Sequence, residues 1–478
     1  MMKMDWFKSF LFSLDSFFLW YFGAINVVYM VLLILGSYKI FSRQRELNAE
    51  DFTPLLNSSS LPPICFIIPM YNEADHVVST VTSILHLTYR YKQIIVVNDG
   101  SIDHSVGELK KAFDLVVIPK FYQESLPTQR VNVVYRSRLH PELVVIDKEH
   151  GRKSDALNAG INACEAQYFI GIDSDTLIDD IAFKAYIRPF LFSPETIAVG
   201  GTISISNDCY SPFNRISTEE FPKTFLTGIQ SLEYLRAFFI RQGWDFGKNN
   251  FILSGAFCIF RKDVIVKAGG FYPSNGEDME IIMRLHRIMK KKKLPYKIFY
   301  LPDPVAWTKA PSKLSDLGKQ RTRWHRGLLE CLFFHKSMCF NPTYGVTAFL
   351  TYPFWLLGEA MEPIMEVFGF AVILLSVFLG ILNFSFFLLL VNITLVFTFI
   401  FSVTCLFIEE LSFQRYPSSK TLCGLLYYSL LENFGYRQLY LWWRIRGFGR
   451  FFQTLLQTKK GSAHIKDRIK NCDLGERN

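Results

Sequence analysis

Ile64-Cys-Phe-Ile-Ile-Pro69 leading into Tyr71-Asn-Glu73, then Gln93-Ile-Ile-Val-Val97 leading into Asn98-Asp-Gly-Ser101, is the stretch on which the fold turns. Both apolar runs are short and unbroken, and Pro62-Pro63 introduces the first. A strand buried on both faces of a parallel sheet reads this way, whereas a half-exposed strand would alternate. Val77 to Leu87 lies between them with helical spacing, so the opening is β-α-β. Each run ends in a polar loop. In open α/β sheets ligands bind at that end, because strand ends and helix N-termini converge there.

Further along, Asn132-Val-Val-Tyr135 and Tyr168-Phe-Ile-Gly-Ile172 carry strand signals, with a helix expected over Lys153 to Cys164. Asp147 to Lys153 reads as a mobile polar stretch. The Tyr168 strand ends directly in Asp173-Ser-Asp175. One intervening residue presents two carboxylates to one region if the chain bends there, a donor set suited to Mg²⁺ or Mn²⁺ beside a diphosphate. Asp-x-Asp is common in loops, so its position at a strand end, with Asp99 at another, carries the reading.

Glu277 and Asp278 follow the turn-rich Phe271-Tyr-Pro-Ser-Asn-Gly276 and precede an amphipathic helix over Met279 to Met289. Helix capping alone would put carboxylates there. A base that takes a proton from a hydroxyl would also sit there, within hydrogen-bond reach of that oxygen. Gln320, Arg323 and Trp324 share a helical face at spacings of three and four. Arg323 is suited to a diphosphate and Trp324 to the apolar face of a sugar, although a Trp anchoring a helix at a membrane interface fits the same pattern.

The remaining composition is that of a membrane protein. Of 478 residues 50% are hydrophobic and 46 are Phe, and the apolar excess gathers at the two ends. Phe17 to Ile40 is long enough to cross a bilayer, and Arg43 and Arg45 after it place the following domain in the cytoplasm. Val346 to Ile408 is a second apolar region, with breaks expected near Pro363 to Gly369 and around Asn383. Leu422 to Trp443 is a third. Charge parity favours three crossings in the second region plus one in the third, or two if the Leu422 segment lies flat at the interface.

Glu359, Glu362 and Glu366 beside a crossing need a partner, water or the headgroup zone. They line a polymer path, pair with basic residues of the soluble domain, or sit in water on an interfacial helix.

The net charge of +9, with Lys290 to Lys293 and Arg444, Arg446, Arg450, Lys459 and Lys460, reads as cytoplasmic flanks facing anionic lipid. No nucleic-acid-binding signature accompanies it. Nine cysteines without C-x-x-C spacing or histidine partners argue against zinc and structural disulfides. No Gly-x-x-x-x-Gly-Lys-[Ser/Thr] loop is present, which argues against an ATP-driven pump.

Taken in order, Pro69-Met-Tyr-Asn-Glu73, Val97-Asn-Asp-Gly-Ser101, Gly151-Arg-Lys-Ser-Asp-Ala-Leu-Asn158, Asp173-Ser-Asp175, Ser254-Gly-Ala-Phe257, Gly276-Glu-Asp278 and Gln320-Arg-Thr-Arg-Trp324 give the chain its resemblance. It resembles the processive, inverting family 2 glycosyltransferases of membranes, the synthases of cellulose, hyaluronan, chitin and especially bacterial poly-N-acetylglucosamine. The resemblance implies an α/β, GT-A (Rossmann-like) cytoplasmic domain embedded between transmembrane helices, in a bacterial inner membrane.

The domains expected are a transmembrane helix over 1–45, the catalytic domain with interfacial helices over 46–340, transmembrane or interfacial helices over 341–446, and a basic tail over 447–478. The resemblance also implies a UDP-sugar donor carrying N-acetylglucosamine or glucose, a polysaccharide or lipid-linked acceptor, and accessory export or biosynthesis subunits. Transfer of one sugar to a lipid is the alternative, and a nucleotide-binding transporter or scaffold a second.

By the same resemblance Tyr71, Glu73 and Asp99 contact uridine and Lys153 the donor region. Asp173 and Asp175 surround diphosphate and metal, Asp175 as the direct ligand. Ser254 and Gly255 border the acceptor, Asp278 is the general base with Glu277 its neighbour, and Gln320, Arg323 and Trp324 close the acceptor and pyrophosphate side. Gln242-Gly-Trp-Asp-Phe246 is placed near the acceptor. The flavour of Leu301-Pro-Asp-Pro-Val-Ala-Trp307 is closest to the poly-N-acetylglucosamine and related exopolysaccharide enzymes.

Overall fold

A computed structural model describes residues 2–49, 61–207, 224–413 and 418–460. Cys209, Cys472 and the basic tail past Lys460 lie outside the described residues. The strands are β1 (Ile64–Met70), β2 (Lys92–Asp99), β3 (Leu115–Ile118), β4 (Val131–Ser137), β5 (Leu143–Lys148), β6 (Tyr168–Ile172), β7 (Leu177–Ile178), β8 (Thr196–Ile205), β9 (Phe257–Arg261) and β10 (Lys297–Thr308). The principal helices are α1 (Met2–Ala49), α2 (Val77–Leu85), α3 (Ser105–Phe113), α4 (Lys153–Ala163), α5 (Asp180–Phe192), α6 (Phe225–Phe246), α7 (Lys262–Lys267), α8 (Glu277–Lys291), α9 (Leu314–Phe334), α10 (Glu362–Phe378), α11 (Phe384–Phe413), α12 (Ser419–Leu431) and α13 (Tyr436–Lys460).

The chain divides into two compact units. A helical unit draws on the described parts of Met1–Phe41, Thr224–Phe246 and Ser312–Leu456. A sheet unit draws on those of Ser42–Lys223, Gly247–Pro311 and Gln457–Asn478.

In the sheet unit the described strands run in the order β3-β4-β5-β2-β1-β6-β9-β8-β10-β7. The middle of this mixed sheet is parallel: β2 lies between β5 and β1, and β1 between β2 and β6. β1 and β2 are buried nearly throughout, which accounts for their unbroken apolar runs. Register brings Met70 beside Asn98 and Asp99 beside Lys148, so the carboxyl ends of β1, β2 and β5 form one edge. The loops after these strands and after β6 carry the chemistry-bearing residues.

One expectation fails here. Asp147 and Lys148 are not part of a mobile stretch but the end of β5, and Lys148 is fully buried. Its charge disguised a strand whose apolar part, Leu143-Val-Val-Ile146, is only one turn long by helical measure. The helices expected after β1, before β6 and after Gly276 are all present as α2, α4 and α8.

In the helical unit, Ser9–Arg45 and Phe384–Phe413 are each long and apolar enough to cross a membrane. Thr347–Ala360 and Glu362–Phe378 together pass the same test as a pair bent by 47°. The breaks fall at Met361, just before Pro363, and at Leu379 to Asn383, close to the two expected. Two stretches of the first partner, Thr347–Thr351 and Trp355–Ala360, are π-helical.

The third apolar region behaves differently from a span. It is divided at Gly435 (φ 94°) into α12 and α13, neither long and apolar enough to cross.

The three glutamates find partners on α13 and α1 rather than in the soluble domain. Arg444 Nη1 lies 2.6 Å from Glu362 Oε2, Arg437 Nε 3.1 Å from Glu366 Oε1, and Tyr29 Oη donates to Glu359 Oε1 at 2.7 Å. Arg444 is therefore a buried ion-pair partner and not the lipid-facing flank that the basic cluster suggested.

Candidate active site

At the sheet edge the loops are laced to one another. Asn72, at φ 56°, accepts from Ile102 N with its side-chain oxygen at 2.9 Å and donates its own N–H to Ser101 Oγ at 2.9 Å. Glu73 N donates to Ser105 Oγ at 2.9 Å. Asparagine tolerates the left-handed region better than most residues, which suits it to this turn. Tyr71 is exposed, and its ring lies 4.8 Å from that of His150.

Asp99 is buried and fully engaged. It accepts from Lys148 Nζ at 2.6 Å, Gly151 N at 2.9 Å and Arg152 N at 2.7 Å, with His150 Nδ1 2.9 Å away. Lys148 also lies 2.6 Å from Asp155. Asp99 thus shapes the 149–152 loop, where Arg152 sits at φ 75° immediately before α4. Gly100, at φ 72°, packs so closely on His150 that a side chain there would meet its backbone N at 3.0 Å. Lys148, His150 and Asp155 were not singled out by the sequence; an apolar run ending in a lone Lys was the only signal for the first.

The chain bends after β6, as two carboxylates sharing one region require, and Ser174 O accepts from Thr80 Oγ1 at 2.7 Å to hold the turn. Lys153, the first residue of α4, is the junction. Its Nζ lies 2.5 Å from Asp173 Oδ1 and 3.3 Å from Glu277 Oε1, and donates to Gly255 O at 3.3 Å. A side chain built on Gly255 would meet Asp278 Oδ2 at 3.4 Å. Asp173, Lys153, Gly255, Glu277 and Asp278 are therefore one cluster. Glu277 and Asp278 do occupy the first turn of α8, and Asp278 Oδ1 accepts from Met279 N at 2.9 Å, so a place at the helix start and site membership coincide.

Electrostatics sort these groups. Burial, then the charges of Asp175 and Asp173, push the Glu73 carboxyl up to about 7. Burial and Asp173 raise Asp175, which accepts from Thr308 Oγ1 at 3.3 Å. Burial alone would lower Lys153, but Asp173 and Glu277 outweigh it and hold the ammonium above its ordinary value. Glu73, Asp173 and Asp175 thus repel one another, with the Lys153 ammonium beside Asp173, an arrangement a divalent cation relieves.

Among the described residues no three His, Cys, Asp or Glu side chains gather as a closed metal cage. Two aspartates leaving positions for phosphate and water oxygens is the usual manner of binding Mg²⁺, so the residues fit the ion.

The other candidates belong to the helical unit. Gln320, Arg323 and Trp324 lie on α9, with Arg323 and Trp324 exposed and Gln320 part-buried. Arg321, which the sequence did not single out, is buried. Its guanidinium lies 4.3 Å from the Trp324 ring and donates to Glu233 Oε2 at 2.6 Å, and Tyr436 Oη donates to the other oxygen of Glu233 at 2.9 Å. The Trp324 ring is thereby held against the Arg321 guanidinium. Gln242 and Trp244 lie buried on α6, and Asp245 pairs with Lys39.

Comparison with known proteins gives the family. The model for "Glycosyl transferase family 2" matches residues 65–268, and that for "Glycosyl transferase family group 2" matches 168–401. The chain belongs to glycosyl transferase family 2. Family members similar to it include the poly-beta-1,6-N-acetyl-D-glucosamine synthases of Staphylococcus aureus (strain MSSA476) and Staphylococcus epidermidis (strain ATCC 35984), each 27% identical over 304 residues. The matched region is 63% of this chain and 62% of each relative, so the chain spans less than two thirds of their length.

A mannosyltransferase from Pyrobaculum calidifontis, solved with GDP-Man and Mn2+, superposes with a TM-score of 0.49 at 15% identity, covering 86% of this chain and 98% of that one. The family assignment and the sheet order together make the sheet unit a GT-A-like fold.

Proposed function

We propose that this chain is a membrane-bound glycosyltransferase that moves a sugar from a UDP-sugar, N-acetylglucosamine or glucose by resemblance, onto a hydroxyl of a growing polysaccharide. The reaction inverts the anomeric carbon and takes place on the cytoplasmic side of a bacterial inner membrane. The observation that carries this reading is the Lys153 junction, which ties the Asp173 loop to the Glu277-Asp278 turn across distant parts of the chain. Two carboxylate groups with separate tasks meet there in one cluster. The named relatives, all polymer synthases of N-acetylglucosamine, support the choice of sugar.

In this reading Asp278 accepts the proton of the acceptor hydroxyl as its oxygen attacks in line. Glu277, held by Lys153, keeps a second carboxylate beside it. Lys153 stays cationic and holds Asp173 and the Gly255 carbonyl in place. Tyr71 offers an exposed ring to the uracil, and the pinned 71–74 and 149–152 loops frame the nucleotide. Mg²⁺ or Mn²⁺ held by Asp175 and Asp173 would offset the charge gathering on the departing diphosphate. By resemblance, Trp324 is assigned to the acceptor sugar and Arg323 to pyrophosphate. Among the described residues none is assigned the part of a nucleophile, which supports a single, inverting displacement.

The test is nucleotide release by the full chain in lipid discs, measured with a panel of UDP-sugars and either metal. Asp278→Asn is expected to lower kcat by at least about 100-fold while donor KM stays within about twofold. Full turnover by that variant would remove Asp278 as the base. Absence of release from every donor by the unaltered chain would overturn the transferase reading.

A further inference from the structure

His286 lies on α8, eight residues beyond Asp278, and is fully buried. Both ring nitrogens are engaged: Nε2 is 2.9 Å from Asn250 O and Nδ1 is 2.7 Å from Tyr296 Oη. A carbonyl oxygen only accepts, so Nε2 carries the proton and Nδ1 accepts from the tyrosine. The ring is a neutral, single-tautomer link between α8 and two other parts of the sheet unit.

The segment that Nε2 grips leads to the acceptor side of the site. Lys290, one helical turn further on, donates to Asn249 Oδ1 at 3.2 Å, and the buried Phe251 ring lies 6.0 Å from the imidazole. At its other end the segment reaches Gly255, whose missing side chain would touch Asp278 and whose carbonyl accepts from Lys153. Residues 249–255 therefore run antiparallel along α8, with Asn249 by Lys290, Asn250 by His286 and Gly255 by Asp278. Asp278 and His286 are about 12 Å apart along the helix. Slack at the His286 end would let the strap slide, and Ser254-Gly255 would lose its register with the carboxylate.

We propose that His286 is the positioning residue that sets the 249–256 strap against Asp278, and so fixes where the acceptor hydroxyl meets its base. This rests on the transferase reading for its catalytic consequence, but not for the clasp itself. Neither His286 nor Tyr296 touches the reacting groups. Their effect on rate is transmitted through the strap, which meets the donor side at the 3.3 Å bond from Lys153 to Gly255 O, so donor binding changes less than rate.

The experiment compares His286→Leu with His286→Gln in the full chain in lipid discs. Glutamine retains one N–H donor for Asn250 O and one acceptor for Tyr296, whereas leucine retains neither. Two readouts are taken: nucleotide release as kcat and donor KM, and amide hydrogen exchange over 249–256.

For His286→Leu, kcat is expected to fall roughly 10- to 100-fold with donor KM within about twofold. Exchange in the strap should quicken at least about tenfold while α8 keeps its protection. His286→Gln should restore kcat to within about threefold of the unaltered chain.

Unchanged strap exchange in His286→Leu, a parallel loss of donor binding, or no rescue by glutamine would each overturn the proposal. Should the leucine variant fail to fold, Tyr296→Phe removes only the hydroxyl, and the same split between kcat and donor KM is required of it. Because exchange needs no turnover, a chain that released no nucleotide would sink the transferase reading while still testing the clasp.

Discussion

Lys148 has no exposure to solvent, yet Asp99 and Asp155 both stand 2.6 Å from its ammonium. Removing one partner of such a group strands a buried charge, which is far costlier than never having built the pair. His286 solves the same problem by staying neutral. Burial, chiefly, lowers it to about 4 from an ordinary 6.5. The unfolded chain therefore binds a proton between those values that the folded chain refuses, so this group's contribution is complete above pH 6.5 and is lost as pH falls toward 4. At pH 5 the loss should reach about 2 kcal/mol. Denaturation of the unaltered chain and of His286→Gln at pH 7.5 and pH 5 checks this: the unaltered chain should lose more stability on acidification than the variant. Equal losses would show that the imidazole titrates normally.

Helix crossings in the helical unit depend on glycine at a few points. A side chain at Gly36 of α1 would meet Phe239 O of α6 at 2.6 Å, and one at Gly243 of α6 would collide with the Leu32 backbone of α1. Carbonyl and Cα atoms cannot swing aside as side chains do, so the two helices would have to separate. Gly243→Ala should cost about 1–3 kcal/mol through overpacking, whereas Gly449→Ala, with open space around it on α13, should stabilise by up to about 1 kcal/mol. Thermal midpoints in detergent separate the two, and shifts of the same sign would refute the crossing. Such contacts are not written in the sequence, since both glycines sit in ordinary helical stretches. What was legible had a local cause: β1 and β2 from burial on both faces, α8 from its amphipathic spacing, Asp173 and Asp175 from a strand end, Glu277 and Asp278 from a helix start. Lys153 as their junction, β5 behind its charged end, and Arg444 as the partner of Glu362 depend on residues far apart in the chain.

At the scale of the whole molecule the open quantity is how often the chain crosses the bilayer after the catalytic domain. α11 is one crossing by length and composition, and the bent pair before it is either a second or a re-entrant loop. Carboxylates at the bend would normally forbid deep burial. Here Glu362 and Glu366 are matched by Arg444 and Arg437, and Glu359 accepts from Tyr29, so the cost is largely offset within the helical unit. That favours a true crossing for the pair. Two crossings then return the chain to the side marked by Arg43 and Arg45, the arrangement expected if the Leu422 region does not span, and they put the turn at Gly380 to Asn383 on the far side. With native cysteines replaced, Asn383→Cys should react with a membrane-impermeant maleimide in intact cells, and Arg45→Cys only after permeabilisation. If Asn383→Cys stayed protected until lysis, the bent pair would enter and leave by one face, and α11 would end on the side opposite the catalytic domain.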